Sequence, residues 1–596
     1  MSAVDFRKEI DNTTEKWEEY LFYSVTIIAI IGILVGIISN TVASYILLFL
    51  SALLVFTGLW MIRSEIGPIN LLMAFVAIVT WYHGYVLEGL LVLFLFGTAE
   101  IIEHVIVKRA GDKLLELLEA LPKNVTRIID GEVEKVDVDS VAPGDIIVIA
   151  TGDMVPVDGE ALNPAEVDTS SITGEPYPRK IGAGTYVQSG YVVTHGPLKM
   201  KVAKSSKESY MQVLVGMAMD SLRNKTQLLS LMERITPLLA AVLVASYILS
   251  YSMFGPIRSL AIILAGCPSA FIITSSFTTS YTVSRLASNG VLVRNPVILE
   301  YLDKMDAIVM DKTGTLTKLD ARLVAVNPPK GLDEETFLYK VKKVVSQSRH
   351  PVSMAVLSAL SSVGIASDKD GSTTSVIEKK GVGLIASTEE GLLEIKSSDK
   401  CPNGKGVEAS LNGGLAVFCI EEELVESSLQ PIYEMMSKGK RLIIASGDSM
   451  ENVGKIARRA GISEYYANMK PDDKLRLIEE LSRKYRRIGF VGDGINDAPA
   501  LARADVSIAI GSVMTSAKAS DAVLPSGPHQ LPLLFKASSL HWKSIKYGFI
   551  TAVLIKLTVI ITGLAGILNV PLMVLFGDDG STLIAVFLAY LLLKNM

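Results

Sequence analysis

The sequence predicts an α-helical membrane protein of eight spans with two large soluble segments. The first segment is β-rich; the second is a parallel α/β sheet split by an inserted α/β domain. Three observations carry this. Hydrophobic residues make up 49% of the 596 positions and mean hydropathy is +0.40, a level that fits spans combined with sizeable polar domains. Apolar stretches recur at about the 20-residue length needed to cross hydrocarbon. Two apolar runs, Ala307-Ile308-Val309-Met310 and Ile488-Gly489-Phe490-Val491, read as buried strands, and a carboxylate follows each.

In chain order, residues 1–19 are polar and acidic and do not read as a secretory signal. Residues 20–107 hold four spans, at 21–39, 42–62, 69–82 and 85–107. The fourth carries Glu88, Glu100, Glu103 and His104. Residues 108–232 alternate short β-like runs, at 133–138 and 145–150, with turns at Pro143-Gly144-Asp145 and Val157-Asp158-Gly159. Residues 233–290 hold spans at 235–253 and 257–283. Residues 291–319 and 432–540 alternate strand and helix patterns, as a doubly wound sheet requires, and 320–431 are inserted between them. Residues 541–596 hold the last spans, at 547–568 and 571–593. Lys108, Arg109, Arg285, Lys543, Lys546 and Lys594 sit at span ends facing the large segments, which places both segments on the cytoplasmic side. Net charge is −5, so nothing points to nucleic acid. The three cysteines, Cys267, Cys401 and Cys419, are widely spaced and predict neither a disulfide framework nor a zinc-finger site.

The chemistry is concentrated in a few strings. Asp311-Lys312-Thr313-Gly314-Thr315-Leu316-Thr317 puts a carboxylate at a strand end, before a small turn whose N–H groups can surround a phosphoryl group. A carboxylate so placed can act as a nucleophile toward ATP. Gly492-Asp493-Gly494-Ile495-Asn496-Asp497 supplies further hard oxygens for Mg²⁺. Asp311 and Asp493 are the expected direct ligands; Asn496 and Asp497 would orient phosphate and the metal's waters. Ser446-Gly447-Asp448 and Pro471-Asp472-Asp473-Lys474 lie between the two strands, and a hydroxyl and an ammonium suit phosphate oxygens. In the β-rich segment, Thr173-Gly174-Glu175-Pro176 holds a glutamate on a rigid loop, where it can serve as general base.

These strings, in this order, resemble the P-type ATPases. The resemblance implies a β-rich actuator domain with Glu175 as the dephosphorylating base. It implies a haloacid-dehalogenase-like phosphorylation domain using Asp311, Thr313, Ser446, Asp448 and Lys474, with Mg²⁺ at Asp311, Thr313, Asp493 and Asp497. The insert, with Ser348-Arg349-His350-Pro351 and Gly381-Val382-Gly383, is similar to the nucleotide-binding domain of the heavy-metal subclass, which implies ATP at His350, Gly381 and Gly383 with Asn496 nearby. Arg349 stands where that subclass usually has glutamate. Two spans after the phosphorylation domain also match the heavy-metal layout.

In the sixth span, Gly266-Cys267-Pro268-Ser269 predicts a helix opened by proline, with carbonyls and a thiol free to face an ion. Most heavy-metal pumps carry a second cysteine where this chain has Ser269. Lys556 interrupts one of the last spans, and Asp578-Asp579-Gly580 opens or interrupts the other; Glu100 is a candidate for the ion path. One thiolate with carboxylates suits a divalent ion of the Zn, Cd or Co class rather than Cu⁺, with Mn²⁺ as an alternative. The expected partners are ATP, the metal ion and the lipid membrane, with the protein a monomer. The competing readings are a membrane-tethered haloacid-dehalogenase-like phosphatase, a receptor built on a degenerate ATPase fold, and a P-type pump for Mn or Cu.

Overall fold

The computed structural model describes residues 13–61, 66–98, 100–101, 105, 121–129, 132–169, 178–348, 351–362, 376–379, 383–398, 400–401, 406–492, 497–511, 520–525, 527–594 and 596. Within them, five apolar helical stretches are long enough to cross a membrane: Asn40–Trp60, Arg234–Phe254, Pro256–Ser288, Pro528–Leu564 and Val570–Leu593. Three shorter apolar helices accompany them, at Tyr20–Gly36, Ile69–Tyr82 and Val86–Thr98. These helices bury small and aliphatic residues against one another, among them Ala29, Leu47, Leu54, Ala77 and Leu93. Large apolar side chains such as Phe49, Phe56, Leu249 and Phe587 stay on the outer face. A surface that apolar is stable in hydrocarbon and not in water.

Two of the long stretches are broken, each for a visible reason. Pro256–Gly266 stops and Ser269–Ser288 begins across Cys267, whose backbone is extended (φ −55°, ψ 135°), and Pro268. Proline has no N–H to continue the ladder, so the preceding turn keeps open carbonyls. The last stretch carries one π turn, Leu575–Asp579, between Val570–Val574 and Gly580–Leu593. The Gly580 N–H bonds to the carbonyl of Leu575, and a Cβ at Gly580 would lie 2.2 Å from that oxygen. Glycine is the residue that lets this wide turn close.

The 124–202 region is built from a six-stranded antiparallel sheet and a smaller three-stranded one, around Val155, Val157, Val167, Leu198 and Met200. The α/β domain has seven strands, ordered Leu292–Val293, Ala522–Leu524, Val506–Ile510, Ile488–Gly492, Ala307–Asp311, Arg441–Ala445 and Glu464–Tyr466. All neighbours are parallel except the Leu292–Val293 edge. The central strands are buried along their whole length because helices cover both faces. The inserted domain is a six-stranded antiparallel sheet packed on helices Glu334–Val345 and Pro351–Ser362. It joins its host through two long paired strands, Thr317–Asn327 and Gly414–Leu424.

The cysteine expectation needs one correction. Cys401 and Cys419, 18 positions apart, form a disulfide with Cα atoms 5.5 Å apart in the inserted domain. Spacing alone gave no sign of it, because the sheet brings the two positions together. Cys267 is buried and free.

Candidate functional site

Asp311 is the last residue of the central strand, level with Ala445 on one neighbour, while Met310 is level with Val491 on the other. The loop beginning at Ser446 and the strand end at Gly492 therefore lie at the same sheet edge as Asp311. In a doubly wound sheet this carboxyl-end crevice is where ligands bind. Lys474, in the first turn of Pro471–Lys484, sends its ammonium to 2.6 Å from both Asp311 Oδ1 and Asp497 Oδ1. All three side chains are less than a tenth exposed. Burial alone would depress the Lys474 pKa, but the two carboxylate charges and their hydrogen bonds outweigh it and hold it above the ordinary lysine value.

A second buried ion pair ties the neighbouring loop to this one. Lys312, fully buried, reaches Asp448 Oδ2 at 2.5 Å. Ser446 Oγ accepts from the Asp448 N–H at 3.2 Å. Gly492 has to be glycine: a Cβ there would lie 2.5 Å from Asp497 Oδ2. Thr313 is half-buried at the turn and bridges to Thr317.

A separate polar cluster forms where the two broken helices meet inside the apolar bundle. Asp578, buried in the π turn, accepts a short hydrogen bond from Ser269 Oγ, and Lys556 Nζ lies 3.4 Å from the same Oδ1. Cys267 is buried beside them, within reach of Ser269. The cluster thus offers a thiol, a hydroxyl and a carboxylate, with an ammonium standing by. Among the described residues no three His, Cys, Asp or Glu side chains converge as a ready-made metal site.

Comparison with known proteins gives this geometry a family. Residues 119–219 match the P-type ATPase actuator domain, and residues 305–505 match the haloacid dehalogenase-like hydrolases. The chain is 29% identical over 557 residues to the cadmium, zinc and cobalt-transporting ATPase of Bacillus subtilis, spanning 88% of this chain and 78% of that protein. This chain belongs to the P-type ATPases. A zinc-transporting ATPase of Bacillus subtilis is 25% identical over 565 residues, covering 89% of this chain and 88% of the relative. Copper-transporting ATPase 1 of Rhizobium meliloti is 28% identical over 453 residues, covering 70% of this chain and 54% of the relative. The crystal structure of a zinc-transporting PIB-type ATPase in the E2.Pi state shares the fold, with a TM-score of 0.57 and 24% identity across 97% of this chain and 99% of that one. These relatives place the P-type ATPase in the heavy-metal group, as an integral, multi-pass membrane protein.

Several expected site residues of the P-type ATPase lie outside the described residues: Glu175, Arg349, His350, Gly381, Asp493 and Asn496, and the side chain of Asp579. Gly383 is described, and the fold itself accounts for it. Its φ is +128°, and a Cβ would lie 2.0 Å from the Ile395 carbonyl of the adjacent strand. Glu100 is buried in the membrane bundle. For Mg²⁺ the donor chemistry fits: Asp311 and Asp497 present hard carboxylate oxygens to one point, now spanned by the Lys474 ammonium.

Sequence reasoning took Asp158 only as part of a turn, and the structure gives it a larger task. It is fully buried in the actuator core. Its Oδ1 accepts from the N–H groups of Ser189 (2.9 Å) and Tyr210 (3.0 Å), and its Oδ2 from Lys204 (2.9 Å) and Tyr186 (3.2 Å). Tyr210 begins helix Tyr210–Arg223, which leads to the membrane helix Gln227–Phe254. A carboxylate on a helix N-terminus is favourable to the helix dipole, so one buried charge rivets the actuator to the helix leading into the membrane. Burial works against the Lys204 charge, but its bond to Asp158 outweighs that and raises its pKa. A Val-Asp-Gly turn between apolar residues was the only available signal.

Proposed function

We propose that this P-type ATPase exports a divalent transition metal of the Zn, Cd or Co class from the cytoplasm, through an aspartyl-phosphate at Asp311. The observation that carries the reading is the meeting of Cys267, Ser269, Lys556 and Asp578 at two helix breaks within the membrane bundle. Buried ionisable groups in hydrocarbon are costly and mark ion pathways. One sulfur with hard oxygens favours a divalent ion over Cu⁺. The names of the cadmium, zinc and cobalt relatives support the same class. With three shorter apolar helices beside the five long ones, we read eight spans, with both large loops in the cytoplasm of a cell-membrane pump.

An Asp311 carboxylate oxygen attacks the γ-phosphorus of ATP bound at the inserted domain, and the bond to ADP breaks as the acyl-phosphate bond forms. Lys474 offsets the negative charge that gathers there. Mg²⁺, held by Asp311, the Thr313 turn, Asp493 and Asp497, would neutralise charge on the phosphoryl oxygens. Glu175 takes a proton from the water that hydrolyses the acyl-phosphate, releasing phosphate and regenerating the Asp311 carboxylate. In the membrane, the ion would displace Lys556 from Asp578; once the ion leaves, the ammonium re-forms the pair and closes the empty site. Each phosphorylation state favours a different domain arrangement and so a different side of access.

ATPase activity of the purified protein, titrated with a panel of metals, tests this. Zn²⁺, Cd²⁺ or Co²⁺ should stimulate and Cu⁺ should not, and Cys267→Ser should weaken the Cd²⁺ response most. Strong stimulation by Cu⁺, or an unchanged Cd²⁺ response in Cys267→Ser, refutes the assignment of the ion or of its site.

A further inference from the structure

A cavity of about 570 Å³ opens where the phosphorylation domain meets the membrane helices. Its walls come from four separate parts of the chain: the start of Gln227–Phe254, the segment around Glu300–Lys304, Arg487, and Trp542. Besides Lys225, which has a partner of its own, three of its lining side chains, Arg234, Lys304 and Arg487, are cationic and a single one, Glu300, is acidic. The Glu300 carboxylate is already engaged, accepting from the Leu228 N–H at 3.2 Å on the first turn of that helix. Its charge is thus shared between the helix dipole and the nearby Lys304.

Two of the cations, Lys304 and Arg487, stand on aromatic faces. Lys304 Nζ lies 3.5 Å from the Trp542 ring centre, and the Arg487 guanidinium carbon lies 3.6 Å from that of Tyr301. Rings hold a cation in place without neutralising it. Among the described residues neither Lys304 nor Arg487 forms an ion pair, and Arg487 Nη1 is buried with no hydrogen-bond partner. Burial and the adjacent Arg487 charge hold Lys304 below its ordinary pKa. The cavity therefore combines surplus positive charge with an unused donor, the arrangement that a bound anion relieves.

The level of the cavity narrows the choice of anion. Arg234, on its wall, is the first residue of the membrane-crossing stretch Arg234–Phe254. Leu231, Ile235, Leu238 and Val242 descend from it as an exposed apolar stripe at helical spacing. Trp542, an interfacial residue type, closes the other side.

We propose that this cavity binds the phosphate of an anionic phospholipid headgroup, with the acyl chains lying along the stripe that begins at Leu231. The ligand chemistry is a phosphate flanked by Lys304, Arg487 and Arg234. Because the walls come from both the phosphorylation domain and the membrane helices, the lipid also fastens one to the other and stabilises this arrangement of domains. The proposal requires the helices to sit in a membrane and is independent of which ion is pumped.

The test uses the full-length protein in neutral detergent, with the thermal unfolding midpoint followed as phosphatidylglycerol or phosphatidylcholine is added. Phosphatidylglycerol should raise the midpoint and phosphatidylcholine should not. In Lys304→Gln/Arg487→Gln the half-saturating phosphatidylglycerol fraction should rise about tenfold or more, since two charge-assisted contacts are lost. Arg487→Lys, which keeps the charge, should retain most of the response and shows that the change is not a folding defect. Glycerol phosphate and inorganic phosphate at millimolar concentration should give no shift. An equal phosphatidylglycerol response in parent and double variant overturns the site. An equal response to phosphatidylcholine overturns the anionic preference, and a shift with inorganic phosphate alone overturns the lipid as its source.

Discussion

Lys474→Ala should unsettle the Asp311–Asp497 cluster in a way that a second substitution partly repairs. The ammonium lies 2.6 Å from Asp311 Oδ1 and 2.6 Å from Asp497 Oδ1, so those oxygens are no more than about 5.2 Å apart. Without the cation they repel by about 3 kcal/mol at an effective dielectric of about 20. Truncating one partner of a buried ion pair costs about 3–5 kcal/mol, which matches in scale. Asp497→Asn in the Lys474→Ala background removes one of the stranded charges and should recover about 3 kcal/mol, so the two substitutions are strongly non-additive. Neither variant should form phosphoenzyme at the parent rate. The assay is denaturant unfolding of the full chain and its single and double variants, alongside labelling from γ-phosphate ATP. A raised lysine pKa gives stability that is fully present below the ordinary value and is lost as pH rises through the folded value, above about 10.5. The Lys474 contribution should therefore be constant between about pH 6 and 9. Additive effects, or a Lys474→Ala variant as stable as the parent, would refute the reasoning.

The actuator rivet and the membrane pair make separate predictions. Asp158→Asn keeps the shape but turns an amide N–H₂ toward donors, and should cost about 2–4 kcal/mol. Phosphoenzyme should still form but decay more slowly as the actuator loses its hold on helix Tyr210–Arg223; an unchanged decay rate rules out that coupling. Lys556→Ala should leave metal-dependent phosphorylation intact and slow turnover, whereas Asp578→Ala should reduce the response to every metal; the two variants behaving alike would argue against separate roles for ammonium and carboxylate.

The cluster of Asp311, Lys474 and Asp497 was legible because its chemistry is written locally. Asp311 and Asp497 each follow a buried strand, and Lys474 opens a helix with acidic first-turn residues. The helix break at Cys267-Pro268 was legible for the same reason, since proline removes a donor wherever it stands. What sequence could not show depends on contacts between distant positions. The Cys401–Cys419 bond and the four partners of Asp158 exist only once sheets have formed. The pairing of Lys556 with Asp578 depends on a π turn that no propensity signals, although Gly580 marks its end. The cationic cavity draws on residues more than 300 positions apart. The span count also turns on length: Ile69–Tyr82 is as short as its sequence stretch, Tyr20–Gly36 ends in a turn at 37–38, and Val86–Thr98 ends where residue 99 lies outside the described set.

The central claim is that phosphorylation of Asp311 drives a divalent metal across the membrane. Uptake of radiolabelled zinc or cadmium into inside-out vesicles containing the purified protein tests it most directly. The account predicts accumulation that requires ATP and Mg²⁺ and that disappears in Asp311→Asn, because an amide cannot accept the phosphoryl group. ATP-driven uptake that persists in Asp311→Asn would contradict it, as would vigorous ATP hydrolysis by the parent with no movement of any divalent metal.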